Sequence, residues 1–298
     1  MGGLEVFPEV LGLVFIGYTL RKVGIFSEDT PSHLNAYVVY LAMPALVFSA
    51  MFRAPIQGLL QHLKLVVISM LLSVTCALIG FAIARNTARD RRDAIAAALA
   101  SGLGNTGFFG YPICLSTFGE PGLEAAVFYD FGTTLSVIAA YLMLSSRREN
   151  PLKMSLRFPP AYAAVAGICW TALGLHLPDT IRSTLQLLGR SVVPVIMVSL
   201  GASLRWDLPK SVINVIPTVW VVKLCTSPVV AVAIAPSGLD GKVAVLEAAM
   251  PPALMNLVLA ELLGLRLHVT AALVFSTTVI SIATVPTVVY LILGGGGA

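Results

Sequence analysis

The chain has 298 residues, 57% of them hydrophobic and 11% charged, with a formal net charge of +4 and a mean hydropathy of +0.89. Soluble domains carry about 25% charged residues, so an ordinary soluble domain is excluded, and recurring apolar runs of about 20 residues make the bilayer the solvent. The cations sit in short loops between those runs, which argues against a nucleic-acid surface and makes them topology signals.

The N-terminal MGGLEVFPEV places Glu5 and Glu9 where a signal peptide would carry cations, and Val6 breaks a myristoylation pattern, so no cleavable signal is expected. Ten spans can be drawn, over residues 4–21, 32–51, 63–84, 93–117, 122–145, 159–177, 183–204, 211–235, 241–262 and 268–293. Connections are short, so residues 1–298 are expected to form a single all-α polytopic membrane domain. Cys76, Cys114, Cys169 and Cys225 fall in apolar segments and read as small hydrophobes without a disulfide. His33, His62, His176 and His268 lie near span ends without paired ligand spacing, so no metal site is expected. The closing GGGGA is assigned no role.

Within the fourth span, SGLGNTGFFGYPI (residues 101–113) places Gly104, Gly107 and Gly110 at every third position, with Pro112 after them. Glycine costs a helix interior roughly 1 kcal/mol and proline about 3. A continuous helix is therefore not expected through residues 104–112. At membrane depth such a break leaves main-chain N–H and C=O groups without helical partners, tolerable where they line a buried cavity. Asn105 and Thr106 add side-chain donors and acceptors at the same place.

Orientation follows from the cations. With the N-terminus outside, inner loops collect Arg21, Lys22, Arg85, Arg89, Arg91, Arg92, Arg147, Arg148, Lys153, Arg157, Arg205, Lys210 and Arg266. The outer side keeps Arg53, Lys64, Arg182, Lys242 and Arg190, so both termini are expected outside a cytoplasmic membrane.

Internal repetition is also visible. FGTTLSVIA at 131–139 matches FSTTVISIA at 275–283, an offset of 144 residues. The same offset carries Pro112 onto Asn256, inside EAAMPPALMNLVLAE (247–261), the only other span with a comparable break, at Pro251 and Pro252. Pro44 precedes Ser49 as Pro194 precedes Ser199. Two halves of five spans each, residues 1–150 and 151–298, are an inverted repeat, because an odd number of spans reverses orientation.

GNTGFFGYPI, MPPALMNLVLAELLGL and the late STTVISIATVPTVVYLI run resemble the auxin efflux carrier family of membrane transporters, over essentially the whole chain. The resemblance implies a fold like that of bile-acid/sodium symporters, with broken spans 4 and 9 crossing at mid-membrane. It implies a scaffold from spans 1, 2, 6 and 7, a moving core from spans 3–5 and 8–10, and a homodimer through the scaffold. Plant members move auxin, an aromatic carboxylate, and bacterial relatives are often assigned to small carboxylates such as malate or malonate. In plant members a proline stands at the crossing of both spans. Pro112 fits, but its counterpart here is Asn256, an amide that adds a polar contact and weighs against auxin itself.

The candidate substrate-binding residues are Asn105, Thr106, Gly107, Pro112, Pro251 and Asn256, with Ser49 and Ser199 on spans 2 and 7. Helix segments restarting after the breaks would offer free N–H groups and a positive dipole end to a carboxylate. The alternative readings are close packing for the glycines, capping for the asparagines and simple packing kinks for Pro44 and Pro194. Phe109 and Tyr111 are candidates for an apolar wall. Asp130, Lys223 and Glu247 are the deep charges, and a charge at that depth costs at least about 2.5 kcal/mol unless paired or wetted. Lys223 is expected to pair with Glu247 or Asp130 behind the crossing, where relatives of the implied fold hold sodium. Alternatively, one of the two acids takes up a proton.

The expected function is secondary transport of a small organic anion by alternating access, elevator-type, with no cofactor and with coupling to H+ or Na+ left open. No GxxxxGK[ST] loop is present for ATP drive. A channel or a ligand sensor on the same fold is the second reading. An intramembrane enzyme is the third, disfavoured because neither G-x-S-x-G nor HExxH occurs.

Overall fold

A computed structural model describes residues 6–53, 60–145, 159–203 and 212–294. Arg147, Arg148, Lys153, Arg157, Arg205 and Lys210 lie outside the described residues, as do Glu5 and the side chains of Glu9 and Arg53. The first half holds α1 (Val6–Lys22), α2 (Thr30–Tyr37), α3 (Met43–Arg53), α4 (Leu63–Thr87), α5 (Arg91–Gly102) and α6 (Tyr111–Leu144). The second half holds α7 (Pro159–Ala172), α8 (Asp179–Arg190), α9 (Val192–Ser203), α10 (Ile216–Trp220), α11 (Ser227–Ile234), α12 (Leu239–Ala248), α13 (Met255–Leu262) and α14 (Leu267–Gly294). Among the described residues, some helix falls in each stretch drawn as a span, and six helical stretches are long and apolar enough to cross a membrane.

The solvent of this fold is legible on α4. Leu63, Val67, Leu71, Val74 and Leu78 form one stripe, each more than half exposed. Its opposite face buries Ser69, Ser73 and Gly80 beside Leu65, Leu72 and Cys76. An apolar outer stripe over a partly polar inner one inverts the soluble pattern, as expected where lipid covers the outside.

Proline shapes the long helices in a regular way. Three π turns interrupt them, at Val38–Ala42, Thr106–Gly110 and Val221–Thr226, and each ends two residues before a proline: Pro44, Pro112 and Pro228. The intervening N–H of Met43, Tyr111 or Ser227 reaches back five residues, to the carbonyl of Val38, Thr106 or Val222. A proline cannot donate to the carbonyl four residues back and its ring collides with it, and one widened turn relieves both faults. Pro44 is therefore absorbed by a π turn, whereas Pro194 stands in the first turn of α9. α6 is itself bent at Gly119, with φ 73°, two residues before Pro121.

Packing sorts the helices into two sets. α1 lies along α9, α3 along α7 and α8, and α9 along α2. Separately, α4 packs on α5 and α6, α12 on α11 and α6, and α14 on α5, α10 and α13. In the α1–α9 seam the backbones touch directly: a Cβ at Gly201 would overlap the Val14 carbonyl oxygen, and one at Gly17 that of Val198.

At one end of the second set, Arg266 closes two loops together. Its Nη2 lies 2.6 Å from Asp90 Oδ2 and its Nη1 2.8 Å from Asp93 Oδ2. Asp90 also caps α5 by accepting the Asp93 N–H at 3.0 Å. That hydrogen bond foremost, with the Arg266 charge, holds the Asp90 carboxyl below its ordinary 3.8.

Two outcomes are expected from thermal unfolding in detergent. Gly201→Ala destabilises by about 1–3 kcal/mol, because backbone and not a mobile side chain stands in the way. Arg266→Ala costs about 1–3 kcal/mol at neutral pH, less than a sealed ion pair because Arg266 is 39% exposed. Since the Asp90 pKa is lowered on folding, its share is present above the unfolded carboxylate range and lost as pH falls through the lowered value. The gap between Arg266→Ala and the parent protein should therefore narrow in acid.

Candidate functional site

Two helices stop and restart at the same place. α5 ends at Gly102 and helix resumes at Thr106, while α12 ends at Ala248 and α13 begins at Met255. The residues between lie antiparallel, Gly104 beside Pro252. Asn105 N–H donates to the Pro251 carbonyl at 2.7 Å, and Ala253 N–H to the Leu103 carbonyl at 2.9 Å. Asn256 Nδ2 donates to the carbonyls of Leu103 (3.3 Å) and Ala253 (2.9 Å). Each break thus satisfies part of the other's main chain, the requirement for broken backbone away from water.

The first break is shorter than expected: residues 103–105 are non-helical, and Gly107, Gly110 and Pro112 lie in the helix that follows. Pro112 directly follows the π turn of the restarted helix, whose widened bonding absorbs its missing N–H. Asn105 caps this restart, its side-chain oxygen accepting the Phe108 N–H at 3.3 Å.

A cavity of about 300 Å³ opens beside the paired breaks. Asn105, Thr106 and Gly107 line it from one restarting helix, and Ala253, Leu254 and Met255 from the other. The first N–H groups of a helix have no partner within it, and the helix dipole is positive there, so both ends favour an anion. Thr133, Thr134 and Asp130 of α6 and Asn35 of α2 add polar atoms; Val39, Phe108, Val137, Ile138 and Val258 make the rest apolar. Among the described residues, no lysine, arginine or histidine lines this cavity.

The deep acids occupy two different settings. Asp130, 6% exposed, accepts a hydrogen bond from Thr106 Oγ1 on one oxygen and from Tyr111 OH, at 2.8 Å, on the other. Tyr111 is therefore a buried donor and not the apolar wall expected of it. Glu247 is fully buried against Gly110, accepting the Cys114 thiol at 3.4 Å on Oε1, while its Oε2 has no hydrogen-bond partner among the described residues. The expected pairing of Lys223 with Glu247 or Asp130 is not formed among the described residues. Its ammonium donates instead to the Ala248 carbonyl at 3.2 Å, the last residue of α12, whose oxygen the break leaves free.

The remaining candidates lie outside the cavity. Pro251 contributes its carbonyl to Asn105, and Asn256 is sealed, with its Oδ1 unpartnered among the described residues. Ser199 donates to Asn35 Oδ1 at 2.7 Å and so positions a lining residue without reaching the cavity. Ser49 lines a separate space of about 210 Å³ with Leu115, Glu120, Gln186 and Arg190. Sequence reasoning missed Asn35, Thr133 and Thr134. The two threonines stood inside the matched repeat and were used only for its register; Asn35 carried no such signal.

A family model described as "Membrane transport protein" matches residues 5–155 and 150–290. This chain belongs to the auxin efflux carrier family. It is a multi-pass membrane protein. The carrier is 33% identical over 295 residues to an "Uncharacterized transporter" of Methanothermobacter thermautotrophicus, covering 96% of this chain and 97% of that one. It is 30% identical over 301 residues to an "Uncharacterized transporter" of Methanocaldococcus jannaschii, covering 95% and 96%. A "Putative malonate transporter" of Rhizobium meliloti is 25% identical over 303 residues, covering 95% and 94%.

In this carrier Gly110 and Glu247 are expected to be thermodynamically coupled, because a Cβ at Gly110 would overlap both carboxylate oxygens. Gly110→Ala alone should lower stability by about 1–3 kcal/mol. In the Glu247→Ala background the same change should cost much less, a non-additivity measured by thermal unfolding of the two single variants and the double variant.

Proposed function

We propose that this carrier moves a small organic anion across the cytoplasmic membrane by alternating access, binding its carboxylate between the two interrupted helices. The observation that carries this reading is one cavity receiving the starts of two restarting helices, Thr106–Gly107 and Leu254–Met255, with no fixed cation among its described lining residues. Helix ends hold a single carboxylate without the depth of a lysine well, which suits a ligand that must also leave.

The wider architecture in this reading is ten spans as two inverted five-span repeats, with spans 4 and 9 crossing at their breaks and both termini outside. The packing sets support its division into a scaffold (α1–α3 and α7–α9) and a core (α4–α6 and α10–α14). On that topology the 300 Å³ cavity extends to the inner side, through Asn35, Ile138 and Val258. The smaller space at Ser49, Glu120 and Arg190 lies toward the outer side, where the opposite state would open. The core sliding past the scaffold would exchange one opening for the other.

Cavity chemistry narrows the cargo. A dicarboxylate such as malonate, named for the Rhizobium relative, would bring a second charge that no lining cation meets. The apolar wall of Val39, Phe108, Val137, Ile138 and Val258 instead fits an anion with one carboxylate and an apolar body.

Liposomes containing the purified protein should take up labelled benzoate or hexanoate saturably, and better than malonate. Asn105→Ala, which removes both a lining amide and the cap of the restarting helix, should weaken apparent affinity about tenfold, the equivalent of about 1.4 kcal/mol. Ligand binding without any flux would favour a sensor; currents faster than any carrier cycle would favour a channel.

A further inference from the structure

Resting on the anion-carrier reading, we infer that Asp130 is a proton site that switches Thr106 between refusing and accepting the carboxylate, making the carrier an anion–proton symporter. Among the described residues, Asp130 is the one acid that lines the cavity, and it forms no ion pair. A carboxylate in the wall of an anion site repels the ligand unless its charge is removed. The titratable groups around it are Tyr111, bonded to Oδ2, and Glu247 of α12, near enough for the two charges to act on each other. Neither supplies a positive charge, and the Lys223 ammonium is on the Ala248 carbonyl.

The switch lies in the direction of one hydrogen bond. Thr106 lines the cavity and its Oγ1 is bonded to Asp130 Oδ1. A hydroxyl has one hydrogen to give and two lone pairs to receive. With Asp130 ionised, the threonine hydrogen is committed to the carboxylate, and only lone pairs of Oγ1 face the cavity. A proton arriving from water through the cavity on Asp130 Oδ1 reverses the bond: the acid O–H donates to Thr106 Oγ1. The threonine hydrogen is then free to turn toward a bound carboxylate, beside the first N–H groups of the restarting helix. One anion and one proton occupy the site together, so their combined charge is zero. On the far side the carboxylate leaves, Thr106 turns back, and the proton departs to water.

Glu247 is the less suitable acid. It is fully buried, lines no described cavity, and faces Gly110 and Cys114.

The test is calorimetric binding of benzoate, hexanoate and malonate to the full-length protein in detergent, from pH 6 to 9. Each titration is run in two buffers of different ionisation enthalpy, so that protons taken up per bound anion are counted. The expected result is uptake approaching one proton per anion over part of this range, with affinity falling about tenfold per pH unit there. Asp130→Asn, whose amide can donate to Thr106 permanently, should bind with no linked proton and a flat pH profile. Thr106→Ser should keep the linked proton, which a purely structural role for the hydroxyl–acid pair would not require. Binding without proton uptake at every pH overturns the inference and leaves the carrier reading standing. Proton uptake that survives Asp130→Asn and vanishes in Glu247→Gln assigns the proton to the other acid and likewise overturns it. Failure of all three anions to bind overturns the carrier reading itself. The parent protein's titration decides the coupling even where a variant does not fold.

Discussion

The structure depends on a short antiparallel contact between two stretches of main chain that belong to no helix. Leu103 to Asn105 and Pro251 to Ala253 exchange two backbone hydrogen bonds, and Asn256 adds a third contact to Leu103. Without that exchange, each break would leave donors and acceptors bare in a medium that cannot hydrate them, at several kcal/mol apiece. The two interruptions therefore stabilise one another, and neither half of the chain could carry its break alone. This also explains why the bonding is main chain to main chain: it needs glycine and proline to stop the helices, and it asks little else of the side chains. The polar side chains nearby are thereby left for other work, Asn105 as a cap and Asp130 and Thr106 as cavity groups.

A second constraint is proline, and here it does not break helices outright. In each of the three π turns the widened turn stands immediately before the proline, so the ring's collision is avoided and the helix continues across the membrane. The consequence differs by position. Ahead of Pro112 the wide turn belongs to the restarting helix and holds Thr106 at the cavity wall while Tyr111 turns inward to Asp130. Ahead of Pro228 it carries Lys223 to the Ala248 carbonyl, joined there by Ser227 Oγ at 2.9 Å. Two donors on one carbonyl close the first end of the second break.

The starts of two long helices were legible because apolar length is a coarse and robust signal: Leu63–Thr87 and Leu267–Gly294 begin within one residue of where hydropathy placed them. The breaks were legible too, since glycine and proline clusters inside apolar runs have few other causes. Their extent was not. Gly107, Gly110 and Pro112 all read as helix breakers, yet a π turn accommodates them, and i→i+5 bonding leaves no pattern in sequence. Lys223 is buried, but it bonds the Ala248 carbonyl and not the carboxylate expected, because a carbonyl freed by a broken helix competes with a carboxylate and cannot be seen in a list of charges. Asn35 was missed for a similar reason: its place at the cavity is set by Ser199, far away in the chain.

The position of Lys223 bears on what sort of site this is. An ammonium in the cavity would attract any anion strongly, and the low dielectric would deepen the attraction. A carrier must release what it binds, so a deep well at the midpoint of the path slows the cycle in the same way that tight binding blocks conduction through a pore. Here the ammonium is turned to a main-chain oxygen, and the polar groups that meet the cavity, among the described residues, are neutral hydroxyls, amides, helix starts and a single acid. Attraction from such groups is moderate and directional, and it can be altered by one proton. Groups of that composition can attract an anion without a cation's deep well, while the Lys223 ammonium, beside the lining residue Gly104, holds the start of the second break through the Ala248 carbonyl.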